Sequence, residues 1–159
     1  MARTPPLLLA WVTYALMFSS AFILLGAISA SQRFCGSAAA NSLLNAGGAS
    51  YFANVSCDKL YRLTWFTVWY QIAMIIVVPV VLAMGAVHKW RYGLIGLLVP
   101  VTYLLMETAN AFFLQKLNID SNKAASRAML AGAILGCISN YVLIILFGVR
   151  DEKARAVEK

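Results

Sequence analysis

LTWFTVWYQIAMIIVVPVVLAMGAV, residues Leu63 to Val87, is the stretch that decides the fold of this chain. It runs for 25 residues without a charged side chain, and about 20 apolar residues are enough for a helix to cross a bilayer. Three further runs of similar length occur in the chain. The four predicted spans are residues 7–30, 63–87, 92–114 and 128–149. The sequence therefore predicts an all-α membrane protein, in which residues 1–159 form one domain, a bundle of four transmembrane helices.

Composition excludes a water-soluble globule. Of the 159 residues, 62% are hydrophobic and 12% are charged, whereas soluble domains carry roughly twice that charged share. The mean hydropathy is +0.77. The net charge of +7 is the difference between 13 Lys and Arg and 6 Asp and Glu, and the basic residues are spread over all the aqueous segments. This distribution favours contact with membrane lipid headgroups. It does not form the continuous basic surface that is typical of nucleic-acid binding.

The first loop carries the features that orient the chain. Cys35 and Cys57 flank it, and Asn54 begins an Asn-Val-Ser glycosylation sequon. Both features are typical of an oxidising, non-cytosolic face, so we predict a disulfide that closes a long extracellular loop, although two unpaired thiols are the alternative. Both termini and a short turn, His88 to Arg91, are then cytosolic. Such a short turn makes the second and third helices an antiparallel hairpin.

Glu107 is the one charge inside the predicted spans. Steps of three and four residues along the third helix place Pro100, Tyr103 and Asn110 on the same helical face as Glu107. A carboxyl group at this depth costs about 2.5–3.5 kcal/mol on insertion scales, so we expect it to face the bundle interior or a wet cavity. These four residues, with Pro79 as a second candidate kink, are candidates for permeation or gating. The alternative is a structural hydrogen bond from Glu107 to a polar side chain of another helix, such as Gln71, Asn140 or Tyr141.

The fourth predicted helix carries small residues at intervals of four, namely Ala128, Gly132 and Gly136. This spacing lets helix backbones approach closely, either within the bundle or between subunits. The pattern therefore predicts helix packing and, with the fourth helix as the preferred surface, a homo-oligomer.

Motifs for enzymatic chemistry are missing from the sequence. It contains neither a phosphate-binding loop nor a dinucleotide fingerprint nor metal-ligand spacing, and its single histidine, His88, lies at the predicted interface. We therefore predict no enzyme, no cofactor and no ATP-driven pump. Since no Lys, Arg or His lies within a predicted span, a small neutral permeant is favoured over an anion such as bicarbonate.

From its opening Met1 to Pro6 to its charged tail, the chain resembles the low-carbon-dioxide-inducible plasma-membrane proteins of green algae. These are small, basic four-helix proteins implicated in inorganic-carbon uptake. The resemblance implies a plasma-membrane carbon dioxide channel and a trimeric assembly, and it assigns no residue roles.

The architecture is also similar to that of claudins, which have four spans and a paired-cysteine first loop. The claudin first-loop signature of Trp and Gly-Leu-Trp before closely spaced cysteines is absent, because Cys35 and Cys57 lie 22 positions apart with no Trp between Ser31 and Arg62. Only the architecture is shared. The alternative function is accordingly a non-transporting membrane scaffold, claudin- or tetraspanin-like, or a transporter accessory subunit.

Overall fold

The computed structural model describes residues 5–35, 61–118 and 123–157. They form four long helices, α1 (Pro5–Cys35), α2 (Arg62–Ala83), α3 (Val87–Asn118) and α4 (Lys123–Val157). Each helix contains a segment of 22 to 26 residues that is long and apolar enough to cross a membrane. The predicted all-helical fold with four apolar helices is therefore confirmed.

The helices pack in a ring in which each touches the two beside it. Helix α4 packs closely against α1 and α3, whereas α2 lies less close to α1 and α3 although it buries side chains from Thr64 to Leu82. Helices α2 and α4 consequently face each other across the diagonal of the bundle. Of the four, α2 is held least closely by its neighbours.

The turn between α2 and α3 lies earlier than the sequence pattern predicts. We expected it at His88 to Arg91, but the chain turns over residues 84–86, and those four residues already belong to α3. Gly85 has a φ of +63°, the left-handed conformation that ends many helices, and its N–H donates to the carbonyl oxygen of Leu82 at 3.3 Å. A helix-ending glycine, not the cluster of charged residues, therefore sets the turn.

The outer surface of the bundle is apolar along the spans. Large hydrophobic side chains are exposed on every helix, for example Phe22, Ile76, Val99 and Ile145. A soluble bundle would place polar side chains at these positions. Contact with lipid acyl chains is the environment that this surface fits.

The predicted first-loop disulfide falls outside the described residues, as does Asn54, and only the backbone of Cys35 is described. We expect non-reducing peptide mapping of alkylated membranes to recover Cys35 linked to Cys57, a closure that contributes about 3 kcal/mol in the chain-entropy model. Cys137 in α4 is a free thiol and serves as the internal control for alkylation. Recovery of Cys35 and Cys57 as alkylated thiols would contradict the prediction.

Candidate functional site

Three polar residues of α3, Tyr103, Glu107 and Asn110, form a stripe on the outside of the bundle, the outer stripe. The Tyr103 hydroxyl donates to Glu107 Oε1 at 3.3 Å, and all three side chains are exposed, Tyr103 by 61%. The expectation that Glu107 faces the interior is therefore wrong for the single chain. Helical spacing correctly groups these residues, but it does not reveal which face is packed when both faces are largely apolar. The packed face of α3 lies opposite and includes Leu94, Leu98, Val101, Leu105, Thr108 and Phe112.

The outer stripe lies at hydrocarbon depth. The apolar span of α3 is Lys89–Phe113, and Glu107 stands six residues, about 9 Å, from its middle. Half of the hydrocarbon thickness is about 15 Å, so the carboxyl group lies within it. A carboxyl group in contact with acyl chains is destabilising, so a cover of protein or water would lower the cost of this position.

The two prolines lie inside continuous helices. Pro79 is half-buried in α2 and Pro100 is exposed in α3. Proline has no N–H to donate to the carbonyl four residues earlier, which for Pro79 is the carbonyl of Ile75. That oxygen accepts a hydrogen bond from the Tyr14 hydroxyl of α1 at 3.1 Å. The phenol therefore replaces the missing backbone bond and joins α2 to α1 at this point.

Inside the bundle, each helix contributes at least one buried polar side chain near its middle, and α4 also carries buried Ser139, whose hydroxyl donates to its own helix at Leu135. The polar layer, with one such residue from each helix, consists of Ser20, Gln71, Thr102 and Asn140. All four residues lie within four positions of the middle of their spans, so the layer is at the centre of the membrane. The Ser20 and Thr102 hydroxyls donate to carbonyl oxygens of their own helices at 2.8 and 2.6 Å.

Gln71 and Asn140 bond to each other instead. Gln71 Nε2 donates to Asn140 Oδ1 at 3.4 Å, and Asn140 Nδ2 donates to Gln71 Oε1 at 3.3 Å. Both side chains are fully buried. This reciprocal contact, the carboxamide pair, bridges α2 and α4 across the diagonal of the bundle. The sequence singled out both residues only as hydrogen-bond partners for Glu107, and the structure gives Glu107 the Tyr103 hydroxyl instead.

The polar layer divides the hydrophobic core in two. The turn-side cluster lies toward the α2–α3 turn, and the loop-side cluster lies toward the other end of the bundle. Along α2, for example, Gln71 stands between Val68 of the loop-side cluster and Met74 of the turn-side cluster. The turn-side cluster includes Met17, Met74, Val78, Leu98, Leu143 and Phe147, and the loop-side cluster includes Leu24, Val68, Leu105, Phe112 and Met129.

The small residues of α4 are used within the bundle. A Cβ atom added to Gly132 would lie 3.0 Å from Ile23 Cγ2 of α1, and one added to Gly136 would lie 3.0 Å from Leu105 Cδ1 of α3. These distances are below ordinary van der Waals contact, so the glycines permit the close approach of three helices. Ala128, one turn earlier, is half-buried. Because this stripe is occupied within the chain, contact between subunits requires a different surface.

Arg91 is a buried residue that the sequence pattern did not reveal. It belongs to the second turn of α3, is only 8% exposed, and its guanidinium carbon lies 4.3 Å from the ring centroid of Tyr92. That distance is within the range of a cation–π contact. Gly85 is the sequence feature that could have revealed this position, because a turn around Gly85 places Arg91 within α3 and not in the loop. The buried positive charge consequently stands near one end of the bundle, away from the polar layer.

The chemistry available to the described interior is hydrogen bonding. Among residues 5–35, 61–118 and 123–157, no three His, Cys, Asp or Glu side chains lie close enough together to hold a metal ion. Cys137 donates through Sγ to the Thr102 carbonyl oxygen at 3.7 Å. Hydroxyl and carboxamide groups therefore make up the polar layer, and such groups suit neutral solutes.

No protein-family model, curated protein or solved structure matches this chain. The resemblance to algal inorganic-carbon uptake proteins accordingly remains a hypothesis. The polar layer, the two apolar clusters and the outer stripe are the features of the structure that bear on function.

Proposed function

We propose that the protein is a passive plasma-membrane channel for carbon dioxide, with both termini in the cytosol. The observation that carries the proposal is the bundle interior, where two apolar clusters are separated by one layer of uncharged hydrogen-bonding groups. A small neutral solute with lone pairs is compatible with both environments. The choice of carbon dioxide among such solutes follows the resemblance to algal inorganic-carbon uptake proteins.

The distribution of positive charge favours a neutral solute over bicarbonate. Within the described chain, the buried basic side chain is Arg91, 11 residues or about 16 Å along α3 from Thr102 of the polar layer. An anion at the polar layer would lose its hydration with no cation nearby to compensate. The carboxamide dipoles of Gln71 and Asn140 are far weaker than a full charge in this respect.

Side chains close the proposed path in the conformation described here. In both clusters the central side chains have no exposed surface, as shown by Met17, Val68 and Leu98. Passage of a solute therefore needs side-chain displacement. Methionine is unbranched and adopts several rotamers readily, so Met17 and Met74 on the turn side and Met129 on the loop side are suited to such movement. We propose that these residues gate the channel.

We also propose a homo-oligomer, a trimer by the resemblance, in which a second copy covers the outer stripe. The stripe combines a carboxyl group, a phenol and a carboxamide, and so offers both donors and acceptors. Two copies of Tyr103, Glu107 and Asn110 can bond to each other without a basic side chain. The sequence predicts a permeation role for these residues. Such a role would require a passage between subunits that is lined by residues of two copies.

The proposal is tested by stopped-flow acidification of liposomes. Purified wild-type protein, in membranes of low background permeability and with carbonic anhydrase inside, is expected to speed acidification by carbon dioxide relative to empty liposomes. It is expected to leave bicarbonate uptake unchanged. A channel conducts without a partner protein, whereas a scaffold does not. Absence of any acceleration would therefore favour the scaffold or accessory-subunit alternative.

A further inference from the structure

We infer that the carboxamide pair, Gln71 and Asn140, is the solute-selective point of the channel. A small neutral molecule that carries lone pairs replaces the direct contact between the two side chains as it crosses the middle of the membrane. The inference rests on the proposed function and deepens it, because it names the groups that recognise the solute. It also places one recognition site inside every protomer.

Unused hydrogen-bonding capacity is the first observation that points to a ligand. Each carboxamide has two N–H donors, and the reciprocal contact uses one of each. Within the described chain, the second N–H of Gln71 and that of Asn140 have no hydrogen-bond acceptor, although both side chains are fully buried. Buried donors in proteins are almost always bonded to protein or to an ordered small molecule. A solute with lone pairs would satisfy them.

The length of the existing bonds is the second observation. At 3.3 and 3.4 Å, both exceed the 2.7–3.2 Å range that is usual for N–H···O bonds. Such bonds are weak, so exchanging them for bonds to a solute requires little free energy. The hydroxyls of Ser20 and Thr102, by contrast, are bonded at 2.8 and 2.6 Å within their own helices. The carboxamide pair is therefore the part of the polar layer that can open.

The packing of α2 is the third observation. Helix α2 lies less close to its neighbours than α4 does, so α2 is the helix that can move away from the centre at the lowest cost in packing. The Tyr14 hydroxyl joins α2 to α1 at Ile75, one turn from Gln71. A small displacement of α2 about this point would part the carboxamides while the ring of helices stays intact.

This arrangement defines the class of solute. The neighbouring layers are apolar, with Leu24, Val68 and Leu105 on one side and Met17, Met74 and Leu98 on the other. A charged solute would be destabilised there, and a bulky one would not pass between packed side chains. The class that remains is a small neutral molecule with hydrogen-bond acceptors, and carbon dioxide belongs to it.

The test compares carbon dioxide flux in liposomes for the wild type and for paired variants. Replacing both partners by apolar residues, Gln71→Leu with Asn140→Leu, leaves no unpaired amide and is therefore expected to fold. We expect its flux to fall by about tenfold, in line with the loss of one net hydrogen bond to the solute. Gln71→Met with Asn140→Met is a second apolar pair, to be used if the leucine pair does not fold.

Two controls make the result specific. Exchanging the residues, Gln71→Asn with Asn140→Gln, keeps both carboxamides and is expected to retain most of the flux. Thr67→Val removes a buried hydroxyl outside the polar layer that donates to its own helix at Leu63, and flux should not change.

The outcomes separate this inference from the proposed function. Wild-type flux that persists unchanged in a folded apolar pair overturns the inference and leaves the channel standing. A wild type that conducts no carbon dioxide overturns both. Failure of both apolar pairs to fold, while the exchanged pair folds, assigns the carboxamides to packing and also overturns the inference. Flux lost in an apolar pair and kept in the exchanged pair supports it.

Discussion

We expect the Gly132→Leu variant to melt about 10 °C below the wild type in detergent. A Cβ atom at this position lies 3.0 Å from Ile23 Cγ2 and 3.2 Å from Leu24 Cγ, and a leucine adds three further carbon atoms in the same place. Helix α4 must then move away from α1, which loosens the contact that holds the ring together. Overpacking of this kind costs about 3 kcal/mol at the upper end of its range. Thermal unfolding followed by circular dichroism measures the effect.

Gly26→Leu is the matched control. Gly26 belongs to α1, the partner helix, and a Cβ atom there meets nothing within 4 Å. Because leucine also has the higher helix propensity, this variant is expected to melt at or above the wild-type temperature. Equal melting of the Gly132→Leu variant and the wild type would show that α4 does not pack against α1 through this glycine.

The Asn110→Trp variant is expected to weaken self-association by about tenfold or more, since central contacts dominate the stability of interfaces. Asn110 is exposed on the outer stripe, where we propose that a second copy binds. An indole there displaces the carboxamide and holds the two copies apart. Counting photobleaching steps of labelled protein in liposomes, at a series of protein-to-lipid ratios, measures the association.

The control for this variant is Ile76→Trp, a substitution of similar size on the exposed face of α2. It is expected to leave the assembly unchanged. Glu107→Gln keeps donors and acceptors on the stripe, so it should also preserve the assembly and, because the proposed path lies inside the bundle, the carbon dioxide flux. A wild type that is monomeric at every ratio would remove the case for a second copy at the outer stripe.

Length and hydropathy alone identify the four helices. The uncharged run from Leu63 to Val87 could not be a soluble helix, and the three other runs have the same character. The charged residues alone place the turn after α2 at His88 to Arg91, because charge carries no information about backbone conformation. Gly85 is the residue that can adopt the left-handed conformation at low cost, and it ends the helix three residues before His88.

The orientation of α3 could not be derived from its sequence. In a soluble helix, polar residues mark the outside, but in a membrane helix a polar stripe can face the interior or a partner. The choice depends on which side of α3 fits the small residues of α4, and Gly136 receives Leu105, on the side opposite Glu107. That complementarity belongs to two helices together and is not visible in either one.

Like the orientation of α3, the contact between Gln71 and Asn140 could not be predicted from the sequence. Gln71 and Asn140 are 69 residues apart, and nothing local indicates that they meet. What the sequence does show is at least one uncharged polar residue near the middle of each span. In a bundle whose interior is otherwise apolar, such residues gain by meeting one another, and this is the signal that could have found the polar layer.

The order in which the four helices are synthesised affects how the bundle assembles in the membrane. Helix α4 makes the most extensive contacts in the ring, yet it is the last of the four to be synthesised. Until it arrives, the faces of α1 and α3 that receive Gly132 and Gly136 are open to lipid, and Asn140 cannot yet reach Gln71. The first three helices therefore lack their most extensive contacts until α4 is inserted, and we expect α4 to complete the bundle last.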